Sequence, residues 1–320
     1  MKKYTATKIG LFDTVIEISG YTESEERFNE VKAEVFARLG DLHQDFDIYN
    51  SYGITHNTNL ARVNASAGSE YRSHIISREV YELLTFGKEI YSLTNGKVNI
   101  AMGSVLSLWR DCLNAEPPHI PDAEALANAA AHTDINDFYI ADTKDGFLLT
   151  VYDTHLTFDV GAIAKGYAAK KAVELISSIR RDGESFLLNI GGMVCPIGEK
   201  PNNEPWQVGI EYPTTDRNGE YIRQIEMSDG SLVTSASHLR TFTVDGKSYG
   251  HIIDPETFYP PEYFASVTVR CSDPAMGDAL STALFCMIEA EGRKLIAKLD
   301  GISVMWVYPD MRVSTTENFG

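Results

Sequence analysis

The chain has few cysteines, no long apolar run and a shortage of positive charge. Its 320 residues include four cysteines, which are far apart in sequence and form no Cys-x-x-Cys pair. This spacing favours buried free thiols over a disulfide or a metal site. No apolar run reaches the roughly 18 residues of a membrane span, and no apolar segment follows the two N-terminal lysines as it would in a signal peptide. The net charge of −17 disfavours binding to nucleic acid or to anionic membranes.

The chain also lacks a dinucleotide-binding fingerprint, internal repeats and low-complexity linkers. No Gly-x-Gly-x-x-Gly stands after a strand, which argues against a Rossmann fold. A hydrophobic content of 43% and a charged content of 23% are ordinary for a soluble globular protein. We expect a single domain over residues 1–320. An anionic ligand would need a metal ion or local amide dipoles to offset the charge of the chain.

The periodicity of apolar residues predicts an α+β protein with antiparallel-rich sheets and packed helices. Two tight hairpins are signalled by Lys144-Asp145-Gly146 and by Asp245-Gly246. Ser77 is the expected N-cap of one helix, and Asn95-Gly96 ends that helix. Helices are predicted over 22–43, 77–93, 103–113, 122–131, 161–180 and 275–290.

The stretch "TFDVGAIAKGYAAKKAVELI" predicts a strand that runs into a helix through one glycine. Gly161 lets the backbone turn and approach a ligand closely. The exposed amides of the new helix favour an anion, and Lys165 adds a positive charge suited to phosphate. Asp159 is an acceptor for hydroxyl or amine donors of a ligand. The alternative is a plain strand–helix connection with a surface lysine.

Two further stretches carry polar or glycine residues between strands. In "LLNIGGMVCPIGEKP", Gly191 and Gly192 allow either a structural bulge or the close approach of a ligand. In "TSASHLRTFTVDGKSYGHIIDPETFYP", His251 is the best candidate for a base near neutral pH in this half of the chain. A structural histidine is the alternative.

A helix opened by Pro274 places three oxygen donors on one face near its N-terminal end. Asp278, Ser281 and Thr282 fall at i, i+3 and i+4. One carboxylate, one hydroxyl and one backbone carbonyl make a half-site of hard oxygens that suits Mg²⁺. The alternative is a capping and solvated polar face.

Near the N-terminus, Phe12 at a strand edge and Tyr49 in a loop are aromatic candidates for stacking, or are core residues.

Together and in this order, the motifs "DVGAIAKGYA", "NIGG", "TS…R…HIIDP.T..P" and "SVTV…D…A…DALSTALF" resemble the ApbE family of FAD:protein FMN transferases. The resemblance covers nearly the whole chain. The family usually has Met-Gly-Thr at Phe12-Asp13-Thr14, Phe-Asp at Val98-Asn99, and Ser-Gly-x-Tyr at 235–238, so the chain departs from the family at these positions.

The resemblance implies roles for individual residues. Asp278 and Thr282 match side-chain metal ligands, Ser281 lies beside them, and Ala162 matches the residue whose carbonyl reaches Mg²⁺. His251 matches the histidine proposed as base. The positions that match FAD contacts are Phe12, Tyr49, Val98, Asn99, Asp159, Lys165 and Ile252.

The implied activity is Mg²⁺-dependent cleavage of the FAD pyrophosphate. FMN would pass to a threonine or serine of a partner flavoprotein, and AMP would be released. A Mg²⁺-dependent FAD pyrophosphatase and a non-catalytic FAD carrier are the alternatives. With no visible signal peptide, the chain as given is expected to be cytoplasmic. The resemblance implies an extracytoplasmic, membrane-anchored protein if a leader was removed.

Overall fold

The computed structural model of the chain describes residues 1–53, 59–214, 216–217, 219–236 and 241–319. Within them the strands, in chain order, are β1 Lys2–Leu11, β2 Thr14–Thr22, β3 Ser73–Ile76, β4 Phe138–Thr143, β5 Gly146–Val151, β6 Ser185–Ile190, β7 Met193–Ile197, β8 Trp206–Glu211, β9 Tyr221–Met227, β10 Ser231–Ala236, β11 Thr241–Val244, β12 Lys247–Gly250, β13 Ser266–Cys271, β14 Ser303–Val307 and β15 Val313–Thr315. The helices are α1 Glu25–Phe46, α2 Leu60–Ala65, α3 Arg78–Leu93, α4 Gly103–Asn114, α5 Ala123–Ala130, α6 Ala164–Ile179, α7 Pro274–Phe285 and α8 Glu289–Ile296, with a 3₁₀ turn at Pro201–Asn203.

The chain divides into two compact units, each built from separate segments. The sheet unit comprises Met1–His43, Ile163–Ala236 and Tyr263–Gly320, and the helical unit comprises Gln44–Ala162 and Ser237–Glu262. The expected single domain over 1–320 stays a prediction. Along the described ranges, no helix combines the length and the apolarity needed to cross a membrane.

The sheet unit is built on an eight-stranded sheet with the order β1-β2-β6-β7-β10-β13-β14-β15. Among the described residues every strand pairing, in this sheet and elsewhere, is antiparallel. The predicted antiparallel-rich α+β class is therefore confirmed. Helix α7 packs on β10 and β13, and α6 packs on α7. A separate hairpin, β8-β9, adds Val208, Ile210 and Ile225 to an apolar cluster with Met305 and Val307 of β14.

Two neighbouring hairpin turns lie at one end of this sheet. Phe12 and Asp13, both with positive φ, link Leu11 to its partner Thr14. Phe12 thus lies in a turn and not at a strand edge as the sequence suggested. Gly191 and Gly192 link β6 to β7 in the same way, and both also have positive φ. The alternative of a structural bulge at these glycines is therefore wrong, because two positive-φ residues between paired strands form a tight turn. The close approach of a ligand there stays a prediction.

The helical unit contains a three-stranded sheet of order β3-β5-β4, the hairpin β11-β12 and helices α2 to α5. Trp109 of α4 lies in an apolar cluster with Phe242 and Ile253. The indole of Trp109 donates to the carbonyl of Phe258 at 2.8 Å. Trp109 thereby joins α4 to the segment that follows β12.

Several local predictions agree with the structure, but two helices begin three residues later than predicted, at Glu25 and Ala164, and one predicted helix is split in two. Ser77 caps α3 by accepting from the Val80 amide at 3.1 Å. The helix predicted over 275–290 instead ends at Phe285, and α8 follows as a separate helix. The Cys286 amide bonds to the Ala283 carbonyl at 3.0 Å, so the last turn tightens and α7 cannot continue. The four cysteines are free and buried, as predicted.

Candidate functional site

Asp278 is a buried carboxylate on α7 of the sheet unit. Its Oδ2 accepts a hydrogen bond from the Gly166 amide at 2.7 Å. Lys165 Nζ lies 3.6 Å from its Oδ1, with the side chain of Asp278 only 7% exposed. Burial raises the pKa of the Asp278 carboxyl, and Lys165 and the Gly166 amide act in the opposite direction. A bound cation would lower the pKa of Asp278, as Lys165 does.

The first turn of α6 owes its position to Gly166. A Cβ at this glycine would lie 2.4 Å from the Cβ of Asp278 and 2.6 Å from the carbonyl oxygen of Pro274. Only glycine therefore permits α6 to approach α7 this closely. The approach lets a backbone amide of α6 reach a carboxylate of α7. Gly166 belongs to the same motif as Gly161, but its role could not be predicted from the motif because it depends on the packing of α6 on α7.

Three hydroxyl groups, from α7 and β10, lie close together one helical turn after Asp278. Ser235 Oγ lies 2.8 Å from Ser281 Oγ and 3.3 Å from Thr282 Oγ1. Ser281 is fully buried and donates to the carbonyl of Asp278 at 3.0 Å. Because Asp278 and Ser281 are buried, the alternative of a solvated polar face is wrong. Ser235 is an addition that helical spacing could not reveal, because it comes from a strand.

The donor set fits the ion that the sequence predicted. A carboxylate with adjacent hydroxyl oxygens is the ligand chemistry that Mg²⁺ prefers. The N-terminal end of α7 is fixed by Pro274 and by Asp273, whose carboxylate accepts from the Ala275 amide at 2.9 Å. The predicted ligand Ala162 is half-buried and is the last residue of the long helical-unit segment. Its metal-binding role stays a prediction.

In the helical unit, the predicted residues Asp159 and Tyr49 meet through an arginine that the sequence did not single out. Arg110 of α4 pairs with Asp159 Oδ2 at 3.2 Å. The same guanidinium lies 4.4 Å from the centre of the Tyr49 ring. Asp159 Oδ1 accepts from the Gly161 amide at 2.9 Å. Arg110 is 49 residues from Asp159, so no local pattern points to this pairing.

The segment around Val98 and Asn99 lies beside Asp159. The Ile100 carbonyl accepts from the Asp159 amide at 2.9 Å. Asn99 donates to the Thr133 carbonyl at 2.8 Å and accepts from the Ala101 amide at 2.9 Å. Val98 is a buried core residue. Asn99 thus fixes the local backbone, and its predicted contact with FAD stays a prediction.

Lys97 ties this segment to the one that carries His251 and Ile252. Its Nζ lies 3.0 Å from Asp254 Oδ1 and 2.8 Å from Glu256 Oε2. Burial lowers the pKa of Lys97, but the two carboxylates outweigh burial and the net shift is upward. His251 directly follows β12 and is exposed, and Ile252 is half-buried.

Of the predicted flavin contacts in the sheet unit, Phe12 packs edge-on against the His43 ring at 5.3 Å.

One departure from the family motif lies partly outside the described residues. Ser235 is described above, whereas 237 and 238 are not described.

The family model described as the ApbE family matches residues 12–306. The chain belongs to the ApbE family. It is 31% identical over 267 residues to a protein of Treponema pallidum (strain Nichols) named FAD:protein FMN transferase, covering 79% of this chain and 72% of that protein. The predicted family is thereby confirmed.

Solved structures show the same fold. The ApbE protein of Thermotoga maritima has a TM-score of 0.85 and 26% identity, covering 99% of this chain and 98% of that chain. The flavin transferase ApbE of Vibrio cholerae has a TM-score of 0.79 and 23% identity, covering 98% of this chain and 96% of that chain. The second likeness shows the fold alone.

Proposed function

We propose that this protein is a Mg²⁺-dependent FAD:protein FMN transferase. It would cleave the pyrophosphate of FAD, attach FMN through a phosphoester to a threonine or serine of a partner flavoprotein, and release AMP. The observation that carries the proposal is the buried Asp278 carboxylate, 3.6 Å from Lys165 Nζ, with the hydroxyls of Ser281 and Thr282 joined through Ser235 one turn further along the same helix. The names of the relatives support it.

The residues suited to hold Mg²⁺ are Asp278, Ser281 and Thr282, together with the carbonyl of Ala162. When bound, the ion neutralises negative charge on the pyrophosphate and polarises the attacked phosphoryl group. Asp278 is suited to this because burial keeps competing water away from a carboxylate already held by the Gly166 amide. The hydroxyls supply neutral oxygens that add no further negative charge to the site.

The chain's own cationic and polar groups would bind and orient FAD. Lys165 and the amides at the start of α6 favour the phosphates. Asp159 would accept hydrogen bonds from donors on the nucleotide, while Arg110 holds its carboxylate in place. Tyr49, with Arg110 on its ring, offers a flat surface to a planar ring. Phe12, Val98, Asn99 and Ile252 would complete the flavin contacts.

His251 would take the proton of the incoming hydroxyl. The hydroxyl oxygen forms a bond to the phosphorus of the FMN half of FAD. The bond from that phosphorus to the bridging oxygen breaks, and AMP leaves with this oxygen. Water in place of the hydroxyl would give FMN and AMP, which is the hydrolase alternative.

Product analysis separates the three activities that the site supports. The protein is incubated with FAD, Mg²⁺ and a panel of flavoprotein domains that expose threonine or serine, and all products are followed by mass spectrometry. A transferase adds one FMN to a panel member and forms AMP in equal amount. Free FMN with AMP identifies a hydrolase. Intact FAD bound at one per chain identifies a carrier, and either result would overturn the proposal.

A further inference from the structure

Two histidines and one aspartate form a cluster in the helical unit that the proposed activity does not use. His132 follows α5, and Asp153 and His155 follow β5. One candidate ligand atom from each of the three side chains lies within 4.8 Å of the other two. None of the three residues belongs to the set assigned above to FAD or Mg²⁺.

Both imidazole rings are held through one nitrogen. His132 Nδ1 lies 2.7 Å from Asp153 Oδ2, and His155 Nδ1 lies 3.0 Å from Thr154 Oγ1. His132 would bind a metal through Nδ1, with the ion replacing the proton between this nitrogen and Asp153 Oδ2. His155 is held through its Nδ1 by Thr154, which makes Nε2 of His155 the nitrogen suited to bind a metal. Histidines that bind metals are commonly oriented in this way, with the second ring nitrogen bonded to an oxygen.

The aspartate is fixed by the backbone around it. The buried guanidinium of Arg72 donates to the Asp153 carbonyl at 2.9 Å. The His155 amide donates to Asp153 Oδ1 at 2.7 Å. The two imidazole rings lie 4.8 Å apart between centroids, at 36° to one another. The cluster is therefore positioned before any ion binds.

We propose that His132, Asp153 and His155 form a second metal site, for a divalent ion of the Zn²⁺ class. Imidazole suits Zn²⁺ and its first-row neighbours, whereas Mg²⁺ takes oxygen ligands. The site is thus chemically distinct from the oxygen half-site at Asp278. Three protein ligands leave one position of a tetrahedral ion to water.

Binding requires only small movements of the three ligand atoms, which already lie within 4.8 Å of one another. Metal–ligand bonds of about 2.1 Å place tetrahedral ligand atoms about 3.4 Å apart. His155 is exposed, so its side chain can turn to close the gap. A bound ion would link the chain after α5 to the chain after β5.

Metal titration of the whole protein tests the site directly. After treatment with EDTA and dialysis, the protein is titrated with Zn²⁺ by calorimetry, and with Co²⁺ by visible absorption, in excess Mg²⁺. The matched variants are His155→Gln and His132→Gln, with His119→Gln as the control because His119 is exposed and lies outside the cluster. Removing a ligand should weaken binding at least about tenfold, since even second-layer changes cost 10- to 100-fold.

We expect calorimetry to show one Zn²⁺ bound per chain in the wild type and in His119→Gln. The Co²⁺ complexes of both proteins should have the intense visible absorption typical of an ion with four ligands. Zn²⁺ should bind more weakly to His132→Gln and to His155→Gln than to the wild type. The circular dichroism spectrum of His155→Gln should match that of the wild type, which shows that the fold is kept. No saturable Zn²⁺ binding by the wild type, or equal affinity in His155→Gln, would overturn the proposal. These readouts need no acceptor or FAD, so failure of the transferase proposal would leave the result intact.

Discussion

Lys165 contacts the Asp278 carboxylate in the structure and would contact a phosphate of FAD in the proposed complex. The ammonium lies 3.6 Å from Asp278 Oδ1 and its side chain is 31% exposed. It is thus neither fully buried nor a plain surface lysine. Its exposure leaves it able to meet an anion arriving from solvent.

Replacing Lys165 by methionine should weaken FAD binding by more than tenfold, because a charge-assisted hydrogen bond contributes about 1.5–3 kcal/mol. Riboflavin has no phosphate, so its affinity should barely change. Equilibrium titration of both flavins into both proteins measures this. Lys170→Met is the matched control, since Lys170 is on the same helix and pairs with Asp273 at 2.7 Å. Equal weakening for both flavins would assign Lys165 to the fold or to the ring pocket.

His251 has the proposed role of a base, so its replacement should affect the rate and not the affinity. His251→Asn should lower the single-turnover rate of FMN transfer by roughly 10²–10⁴, the usual range for acid–base catalysis. FAD affinity should change little, because the proton is transferred only during the reaction. A variant with a normal rate, or one that only loses FAD binding, would remove His251 from the mechanism.

At the scale of elements, the sequence predicted best those boundaries that depend on neighbouring residues. The Ser77 cap and the start of α7 at Pro274 follow from local chemistry, and both agree with the structure. The break at Cys286 was missed because the apolar pattern of α7 runs on past it. Arg110 was missed because its partner, Asp159, is distant in sequence and only packing brings them together.

The candidate metal half-site shows the same division. Helical spacing placed Asp278, Ser281 and Thr282 on one face, and the structure agrees. It could not show that a glycine of α6 lets a backbone amide reach the carboxylate, or that Ser235 lies beside the two hydroxyls. Such contacts depend on how helices and strands pack.

A buried ion pair joins α1 to the chain just before β6. Glu184 Oε1 lies 3.0 Å from Arg27 Nε, and the Glu184 side chain is fully buried. Burial alone would raise the pKa of Glu184, but hydrogen bonds from Arg27 and the Arg181 amide outweigh burial, and the net shift is downward. A carboxyl group whose pKa is lowered by folding stabilises the folded protein at pH values above its pKa in the unfolded chain, which is about 4.3. That contribution is lost as the pH falls from about 4.3 through the lower folded value.

Glu184→Gln should therefore lower the free energy of unfolding at pH 7 by about 2 kcal/mol or more. Its stability should also fall less steeply than that of the wild type below pH 4.3. Urea unfolding as a function of pH measures both effects. Glu30→Gln is the control, because Glu30 pairs with the same arginine but is 58% exposed, so the change should cost less than about 1 kcal/mol. Parallel pH profiles for Glu184→Gln and the wild type would contradict the assignment.

At the scale of the whole molecule, the net charge of −17 opposes an anionic substrate. FAD carries a pyrophosphate, so its binding needs local positive charge. In the proposed function that charge comes from Lys165, from the amides at the start of α6 and from Mg²⁺ at Asp278. The central claim is that this carboxylate holds the ion on which FMN transfer depends.

The rate of FMN transfer by Asp278→Asn, with and without EDTA, tests this claim most directly. Asparagine can still accept from the Gly166 amide, but it removes the negative charge. Asp273→Asn is the control, because asparagine retains the helix cap and only a half-buried ion pair with Lys170 is lost. The rate of FMN transfer to an acceptor that the wild type modifies should be about 10²–10³-fold lower for Asp278→Asn, since the ion contributes several kcal/mol of transition-state stabilisation. Asp273→Asn should remain close to the wild type, and EDTA should stop both active proteins until Mg²⁺ is restored. A full rate for Asp278→Asn in excess EDTA would contradict the account.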